Sequence, residues 1–186
     1  MRPPSSNPAP RGVLDVVIGL GANLGDRQAT LEWAVSAVGT LGRVAGVSQL
    51  YTSPPVGPPQ PDYLNAAVRL LTELELAALL EALLGFERQA GRQRRERWGP
   101  RTLDLDILWA AGVVSDSVAL RVPHPELRVR PFALLPLLDV APAARDPGDD
   151  MPYAVLLREL DGASVRRIGW SLATENCGAA VDTAAS

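Results

Sequence analysis

Apolar residues along the chain follow two alternating patterns, one suited to strands and one to helices. Val13–Leu20 is an almost unbroken apolar run, the signature of a strand covered on both faces. After Gly21-Ala22-Asn23-Leu24-Gly25-Asp26, residues Leu31, Ala34, Val35 and Val38 share one face at helical spacing, with Asp26 placed to cap the helix. Val44–Tyr51 predicts a second strand and Tyr63–Leu71 a third. Ser53–Pro61 between them is too rich in proline for the interior of a helix or strand. Glu75–Gln89, rich in Leu, Ala and Glu, predicts the clearest helix, with Gly91 available to end it.

Residues 92–101 have no apolar period and contain Gly99-Pro100, so they read as a loop. Thr102–Trp109 alternates as far as Ile107 and predicts a strand, with a turn near Gly112. Val118–Val122 reads as a short strand, and Pro131–Leu138 and Tyr153–Leu160 as short helices. The order β-α-β-β-α-β, followed by shorter elements, predicts an α+β fold: a ferredoxin-like α/β sandwich whose antiparallel sheet has helices packed on its faces. Residues 1–11 hold four prolines and nothing to bury, so a disordered arm is expected there. The pattern fades from about Gly169, giving a domain over residues 12–170 and a flexible tail over 171–186.

Composition narrows the class. With 186 residues, 47% of them hydrophobic, and a net charge of -3, the chain can bury a core and is not disordered overall. No apolar run approaches the ~18–20 residues a bilayer requires, and the first ten residues lack the apolar stretch of a signal peptide. One cysteine, Cys177, and one histidine, His124, exclude a disulfide framework and a Cys- or His-cluster metal site. A cytoplasmic protein with no membrane partner is expected. All 18 basic residues are arginine. Arg88, Arg92, Arg94, Arg95, Arg97 and Arg101 crowd together with Glu96 as the one acid between them. Such a cluster in a mildly acidic chain points to a local anion site rather than a general nucleic-acid surface.

Gly19-Leu20-Gly21-Ala22-Asn23-Leu24-Gly25 looks like a dinucleotide fingerprint, but its last glycine comes one residue late and no βαβ repeat follows. It reads as a strand-to-helix turn. The sharper signal is Leu103-Asp104-Leu105-Asp106-Ile107. Strand alternation puts Asp104 and Asp106 on one face, about 7 Å apart, where they either form a solvated face or share Mg²⁺ with substrate phosphates. Carboxylates for metal beside guanidiniums for phosphate oxygens are the parts of a phosphoryl-transfer site. Pro54-Pro55-Val56-Gly57-Pro58 with Tyr63-Leu64-Asn65 is either a structural proline loop or a wall for a flat, amide-bearing heterocycle. His124 and Phe132, taken singly, read as turn and core residues.

Taken together and in this order, the motifs resemble the 6-hydroxymethyl-7,8-dihydropterin pyrophosphokinase family of folate biosynthesis. Glu96-Arg97-Trp98-Gly99-Pro100-Arg101-Thr102-Leu103-Asp104-Leu105-Asp106 carries the resemblance, supported by Asp62-Tyr63-Leu64-Asn65-Ala66-Ala67 and Val122-Pro123-His124-Pro125. The match runs from about Val13 to about Leu160. It implies a Mg²⁺-dependent transfer of pyrophosphate from ATP, the co-substrate, to the hydroxymethyl oxygen of the pterin, with AMP leaving. Asp104 and Asp106 would hold two Mg²⁺ ions, and Arg92 and Arg101 would meet the phosphates and the developing charge. Arg94, Arg97, Trp98, His124 and Arg130 would line the ATP side, with Glu87 and Ile107 near the nucleotide. The pterin would lie between Tyr63 and Phe132, read by Asn65 and by the segment Ser53, Pro54, Pro55 and Val56. Loops around Gly21–Gly25, Ser53–Gln60 and Gln89–Gly99 would close over the substrates.

Some positions depart from the family pattern. Ala22 replaces its usual serine, Ser53 stands where threonine is common, and the loop between Arg92 and Trp98 is one residue shorter than in some relatives. Leu84 and Ala119 sit where some relatives have polar contacts. The rival from another class is a ferredoxin-like module whose arginine loop binds RNA or another anionic partner. The paired aspartates argue against it, because without metal they repel a phosphate backbone. A second rival keeps the chemistry with a different heterocyclic alcohol. A monomer acting on small molecules, without nucleic acid, is expected.

Overall fold

The computed structural model of the chain describes residues 12–91 and 100–171. In chain order its elements are β1 (Leu14–Ala22), α1 (Arg27–Gly39), β2 (Arg43–Val47), β3 (Gln49–Ser53), β4 (Tyr63–Thr72), α2 (Leu76–Gln89) and β5 (Asp104–Ala110). A small hairpin of β6 (Ser115–Asp116) and β7 (Arg121–Val122) follows. Then come a single 3-10 turn at Leu127–Val129, α3 (Pro131–Val140), α4 (Tyr153–Glu159) and β8 (Arg166–Ser171). The main sheet runs β5-β1-β4-β3-β8, with β2 also pairing to β4, and every pairing is antiparallel. The connectivity β1-α1-β2/β3-β4-α2-β5 gives the expected ferredoxin-like sandwich.

β1 is nearly all apolar because both of its faces are covered. Val16, Ile18 and Leu20 join Leu31, Val35 and Val38 of α1, together with Leu79 and Leu83 of α2, in one core. Val17 points the other way and packs with Leu134, Leu137 and Tyr153 of α3 and α4. β5 follows the same division: Leu105 and Ile107 face α1 and α2, while Leu108 faces α3. Between Val17 and Ile18 the β1–β5 register slips, so that Val17 opposes Trp109 and Ile18 opposes Ile107. Leu108 is the extra residue of this bulge, which turns Trp109 toward α3 as well.

Asp26 caps α1 as expected, its Oδ1 accepting the Ala29 N–H at 3.1 Å. α2 ends before Gly91, whose φ of +81° favours glycine. Three sequence expectations differ from the structure. Val44–Tyr51 is not one strand: it breaks at Ser48, whose Oγ accepts the Ala67 N–H at 2.8 Å in place of a ladder bond. The expected strand over Val118–Val122 shrinks to β7, and Val118 lies fully exposed in the turn before it. The segment beyond Arg166 holds β8, which pairs with β3 through Ser171, one residue past the expected domain boundary. The expected arm, 1–11, and the tail beyond Ser171 lie outside the described residues.

Candidate functional site

The sheet face toward α3 is covered only in part, and its uncovered end forms a cleft of about 460 Å³. Strand register sets its floor. Gly21 of β1 pairs with Asn65 of β4 on one side and Asp104 of β5 on the other. Asn65 in turn opposes Tyr51 of β3, so one row crosses four strands. The next row toward the core is Ala67–Gly19–Asp106. The two glycines therefore leave an open trough between a carboxamide and a pair of carboxylates. A Cβ on Gly19 would meet the Leu108 side chain at 3.0 Å, so that glycine also permits close packing beside the bulge.

At the β5 end, Asp104 Oδ2 accepts from Arg101 Nη1 at 2.6 Å. Burial acts to lower the Arg101 pKa, but the charge of Asp104 and its hydrogen bond, with Tyr63 and Asp106 adding, raise it above its ordinary value. His124 lies over the same end. Its backbone N–H donates to Leu108 O at 2.9 Å, and its Nδ1 accepts the Glu126 N–H at 3.2 Å. The imidazole therefore carries its proton on Nε2. Burial, followed by the Arg130 guanidinium, lowers the His124 pKa against the opposing pull of Glu126 and Asp104. Arg130 forms an ion pair with Glu126, and its guanidinium carbon stands 5.7 Å from the centroid of the Phe132 ring.

At the β4 end, Asn65 is buried and both its Nδ2 bonds point inward, to Ser53 Oγ at 3.0 Å and Tyr51 O at 3.3 Å. That leaves the carbonyl Oδ1 as the group it offers the cleft. Tyr63, Ser53, Pro54 and Val56 line this end, and Phe132 stands on the α3 side.

The structure thus gathers Ser53, Pro54, Val56, Tyr63, Asn65 and Phe132 with Arg101, Asp104, Asp106, His124 and Arg130 around one cleft. Three expected residues do not line it. Pro55 is half-buried in the proline segment. Ile107 has its side chain in the α1/α2 core. Glu87 completes the buried stripe Leu79–Leu83–Glu87 of α2, where its Oε1 accepts the Leu105 N–H at 2.9 Å. Arg92, Arg94, Arg97 and Trp98 lie outside the described residues.

Sequence reasoning missed Gly19 and Gly21 as the cleft floor, and it missed Asn23. Asn23 is 2% exposed. Its Nδ2 donates to Gln60 Oε1 at 2.9 Å and Pro61 O at 3.2 Å, while its Oδ1 accepts the Arg101 N–H at 2.7 Å. One side chain thereby ties the β1–α1 turn to the proline segment and to the start of β5. A turn-region asparagine directly after a buried strand was the available signal.

Among the described residues no group of three His, Cys, Asp or Glu side chains could hold a metal ion unaided. Two adjacent carboxylates open to a cleft do fit Mg²⁺, which characteristically takes one or two carboxylates and fills its remaining positions with phosphate oxygens and water. No helix among the described residues is long and apolar enough to cross a membrane.

An antiparallel α+β sandwich whose sheet ends in a cleft lined by both carboxylates and guanidiniums holds the parts that phosphoryl transfer to a small molecule requires. Residues 17–142 match the family model described as 7,8-dihydro-6-hydroxymethylpterin-pyrophosphokinase, and the chain belongs to that family. It is 38% identical over 170 residues to the 2-amino-4-hydroxy-6-hydroxymethyldihydropteridine pyrophosphokinase of Synechocystis sp., covering 89% of this chain and 86% of that one. The enzyme of the same name from Pseudomonas aeruginosa is 43% identical over 151 residues, covering 79% of this chain and 93% of its own. The fold is also similar to a crystallised HPPK-DHPS chain in complex with substrates, with a TM-score of 0.68 at 12% identity. That superposition covers 84% of this chain and 46% of the other, so this chain spans about half of the solved one.

Proposed function

We propose that the protein transfers pyrophosphate from ATP to the hydroxymethyl group of 6-hydroxymethyl-7,8-dihydropterin, giving the pterin diphosphate and AMP, with Mg²⁺ at Asp104 and Asp106. The observation that carries this reading is the shared row Asn65–Gly21–Asp104: an amide reader and a carboxylate face one open trough within a family of pyrophosphokinases. The flat pterin lies at the β4 end, its amide edge meeting Asn65 Oδ1, its ring between Tyr63 and Phe132. Its hydroxymethyl arm then points along the glycine floor toward β5, where the triphosphate is held.

No side chain acts as nucleophile. The substrate hydroxyl attacks the β-phosphorus, the bond to the oxygen of AMP breaks and the hydroxyl proton passes to solvent, so catalysis rests on alignment and charge neutralisation. Arg101 is held fully charged by its carboxylate neighbours and faces phosphate oxygens. His124, neutral with its proton on Nε2, donates without adding charge, and Arg130 exchanges part of its pairing with Glu126 for the nucleotide. When bound, the metal supplies Lewis-acid neutralisation of the phosphate charge. Arg92, Arg94, Arg97 and Trp98 are proposed to complete the nucleotide side on the strength of the motif alone.

A concave site with carboxylates on its floor gives no support to the rival reading as an RNA-binding module. The deciding assay follows AMP formation from ATP with and without the pterin alcohol, and with and without a chelator. AMP that forms only with pterin and divalent metal together is the expected result. AMP that forms equally without the pterin would overturn the reading.

A further inference from the structure

Phe132 stands in the first turn of α3 and Asn65 stands on β4, so the width of the slot between them depends on how α3 is fixed to the sheet. The last turn of the same helix supplies the fixing group. Asp139 Oδ2 accepts two hydrogen bonds from β3: the backbone N–H of Gln49 at 3.0 Å and the hydroxyl of Tyr51 at 2.9 Å. The Gln49 N–H is turned toward α3 because the strand breaks at Ser48, and a carboxylate takes it. Tyr51 passes the link onward, since its backbone carbonyl accepts from Asn65 Nδ2, the bond that aims Asn65 Oδ1 at the cleft. One residue further along α3, Val140 O accepts from Arg69 Nη1 at 3.4 Å, while Arg69 is itself held by Asp15 of β1. Neither Asp139 nor Tyr51 lines the cleft.

We propose that Asp139 is a positioning residue for the heterocycle: it sets the spacing of Phe132 from Asn65 by clamping the end of α3 to β3. The inference rests on the reading of this cleft as a pterin site. Burial, reinforced by the Asp139 hydrogen bond and charge, raises the Tyr51 pKa to about 12, so the hydroxyl remains a donor through the range in which enzymes work. The clamp grips the α3 wall and the β3–β4 wall, whereas Asp104 and Asp106 stand on β5 and His124 just after β7. Of the described nucleotide-side groups only Arg130 adjoins α3, as its N-cap, and Glu126 holds it from outside the helix. Loosening it therefore separates the two ends of the site.

The test measures the dissociation constants of the pterin alcohol and of a non-hydrolysable ATP analogue by calorimetry, in the full chain and in two variants. Asp139→Ala removes both bonds. Tyr51→Phe removes one and keeps the ring, so it remains informative where the first variant is poorly folded. The expected result is pterin binding weakened about tenfold by Asp139→Ala and less by Tyr51→Phe, with nucleotide binding changed less than about twofold. In addition, Asp139→Ala combined with Asn65→Ala should weaken pterin binding by less than the product of the two single effects, because the residues act through one chain of contacts. Equal weakening of both ligands, or unchanged pterin binding in both folded variants, overturns the positioning role. Failure of the unsubstituted chain to bind the pterin would instead overturn the reading of the cleft.

Discussion

Asn65 and Asp104 stand in the same row of the sheet, two strands apart, with Gly21 between them and the Tyr63 ring beside it. Strands lie about 4.8 Å apart, so the backbone positions that carry the carboxamide and the carboxylate are about 10 Å apart. A flat bicyclic ring with a one-carbon arm fits that length. A methyl group on Gly21 would meet Tyr63, Asn65 and Asp104 only at 3.7–3.9 Å, which is ordinary contact. Gly21→Ala should therefore fold with a stability change within about 1 kcal/mol. The methyl would raise the trough floor, and kcat/KM for the pterin should fall at least tenfold, a loss of about 1.4 kcal/mol in transition-state stabilisation. Thermal melts paired with steady-state kinetics check this. A stable variant with unchanged kinetics would mean that the ring does not lie over Gly21.

Asp104→Asn and Asp106→Asn separate a metal site from a merely solvated strand face. Without a metal role Asp106→Asn should cost under about 0.5 kcal/mol and Asp104→Asn, which weakens the pair with Arg101, up to about 1 kcal/mol, and both should leave turnover alone. If the pair holds Mg²⁺, each should lower turnover by about two orders of magnitude or more, since metal neutralisation is worth several kcal/mol. Raising the Mg²⁺ concentration should restore part of the activity of each single variant. The double variant should fall short of additive, because the two carboxylates act as one unit. Turnover at different Mg²⁺ concentrations, measured beside urea unfolding, reads all three effects.

Asn65→Ala should weaken pterin binding by about 1–3 kcal/mol and leave the ATP analogue bound as before. The side chain also bonds Tyr51 O and Ser53 Oγ, so some loss of stability is expected with it. Asn65→Asp retains an acceptor but loses those inward donors, and it should recover little. Calorimetry with each ligand distinguishes the cases, and equal losses for both would assign Asn65 to the strand alone.

What the sequence revealed depended on how local the information was. Asp104 and Asp106 could be placed on one face from strand alternation, a property of neighbouring residues. The glycines of β1 could not, because their role comes from the strands that flank them: β4 is over forty residues away and β5 over eighty. Glu87 was assigned to the nucleotide by resemblance, yet it sits at a buried helical position after Leu79 and Leu83 and meets the backbone of the edge strand β5. An acid within an apolar stripe was the visible signal of that role. β8 went unseen because an edge strand reading Arg166-Arg167-Ile168 buries too little to show a pattern. The polar pair Ser48-Gln49 interrupts the run Val44–Tyr51, but a polar pair is also common within a strand, and only the Ala67 pairing reveals that the strand breaks there.

β8 also decides where the chain can be trimmed. A chain of residues 12–171 keeps the full pairing of β8 with β3 and should match the whole protein in melting temperature and turnover. Ending the chain at residue 165 removes β8, uncovers the edge of β3 and should lower the melting temperature by several degrees, since ~1 kcal/mol moves a domain of this size by about 2–4 °C. The weakening should extend to pterin binding, because β3 carries Tyr51 and Ser53, the partners of Asn65. Equal melting temperatures for the two chains would show that β8 adds nothing to the sheet.

His124 gives the fold a pH dependence whose sign can be stated. Burial and the Arg130 guanidinium lower its pKa from the ordinary 6.5, while Glu126 and Asp104 pull the other way. In the unfolded chain the imidazole takes up a proton as pH falls through 6.5, whereas the folded chain resists protonation until a lower pH. Between those two values the unfolded state binds more protons, so stability rises with pH there. The contribution is fully present above 6.5 and is lost as pH falls through the lowered value. His124→Gln removes this titration and keeps a polar side chain. Urea unfolding from about pH 8 to about pH 5 should show wild type losing stability relative to the variant as the solution is acidified. The same neutral state is the one that lets Nε2–H donate, since Nδ1 already accepts from the Glu126 N–H. Activity should therefore fall along with this contribution on acidification. A wild type that gains on the variant at low pH would show that Glu126 and Asp104 hold an imidazolium, and the donor role would have to be assigned to a charged ring.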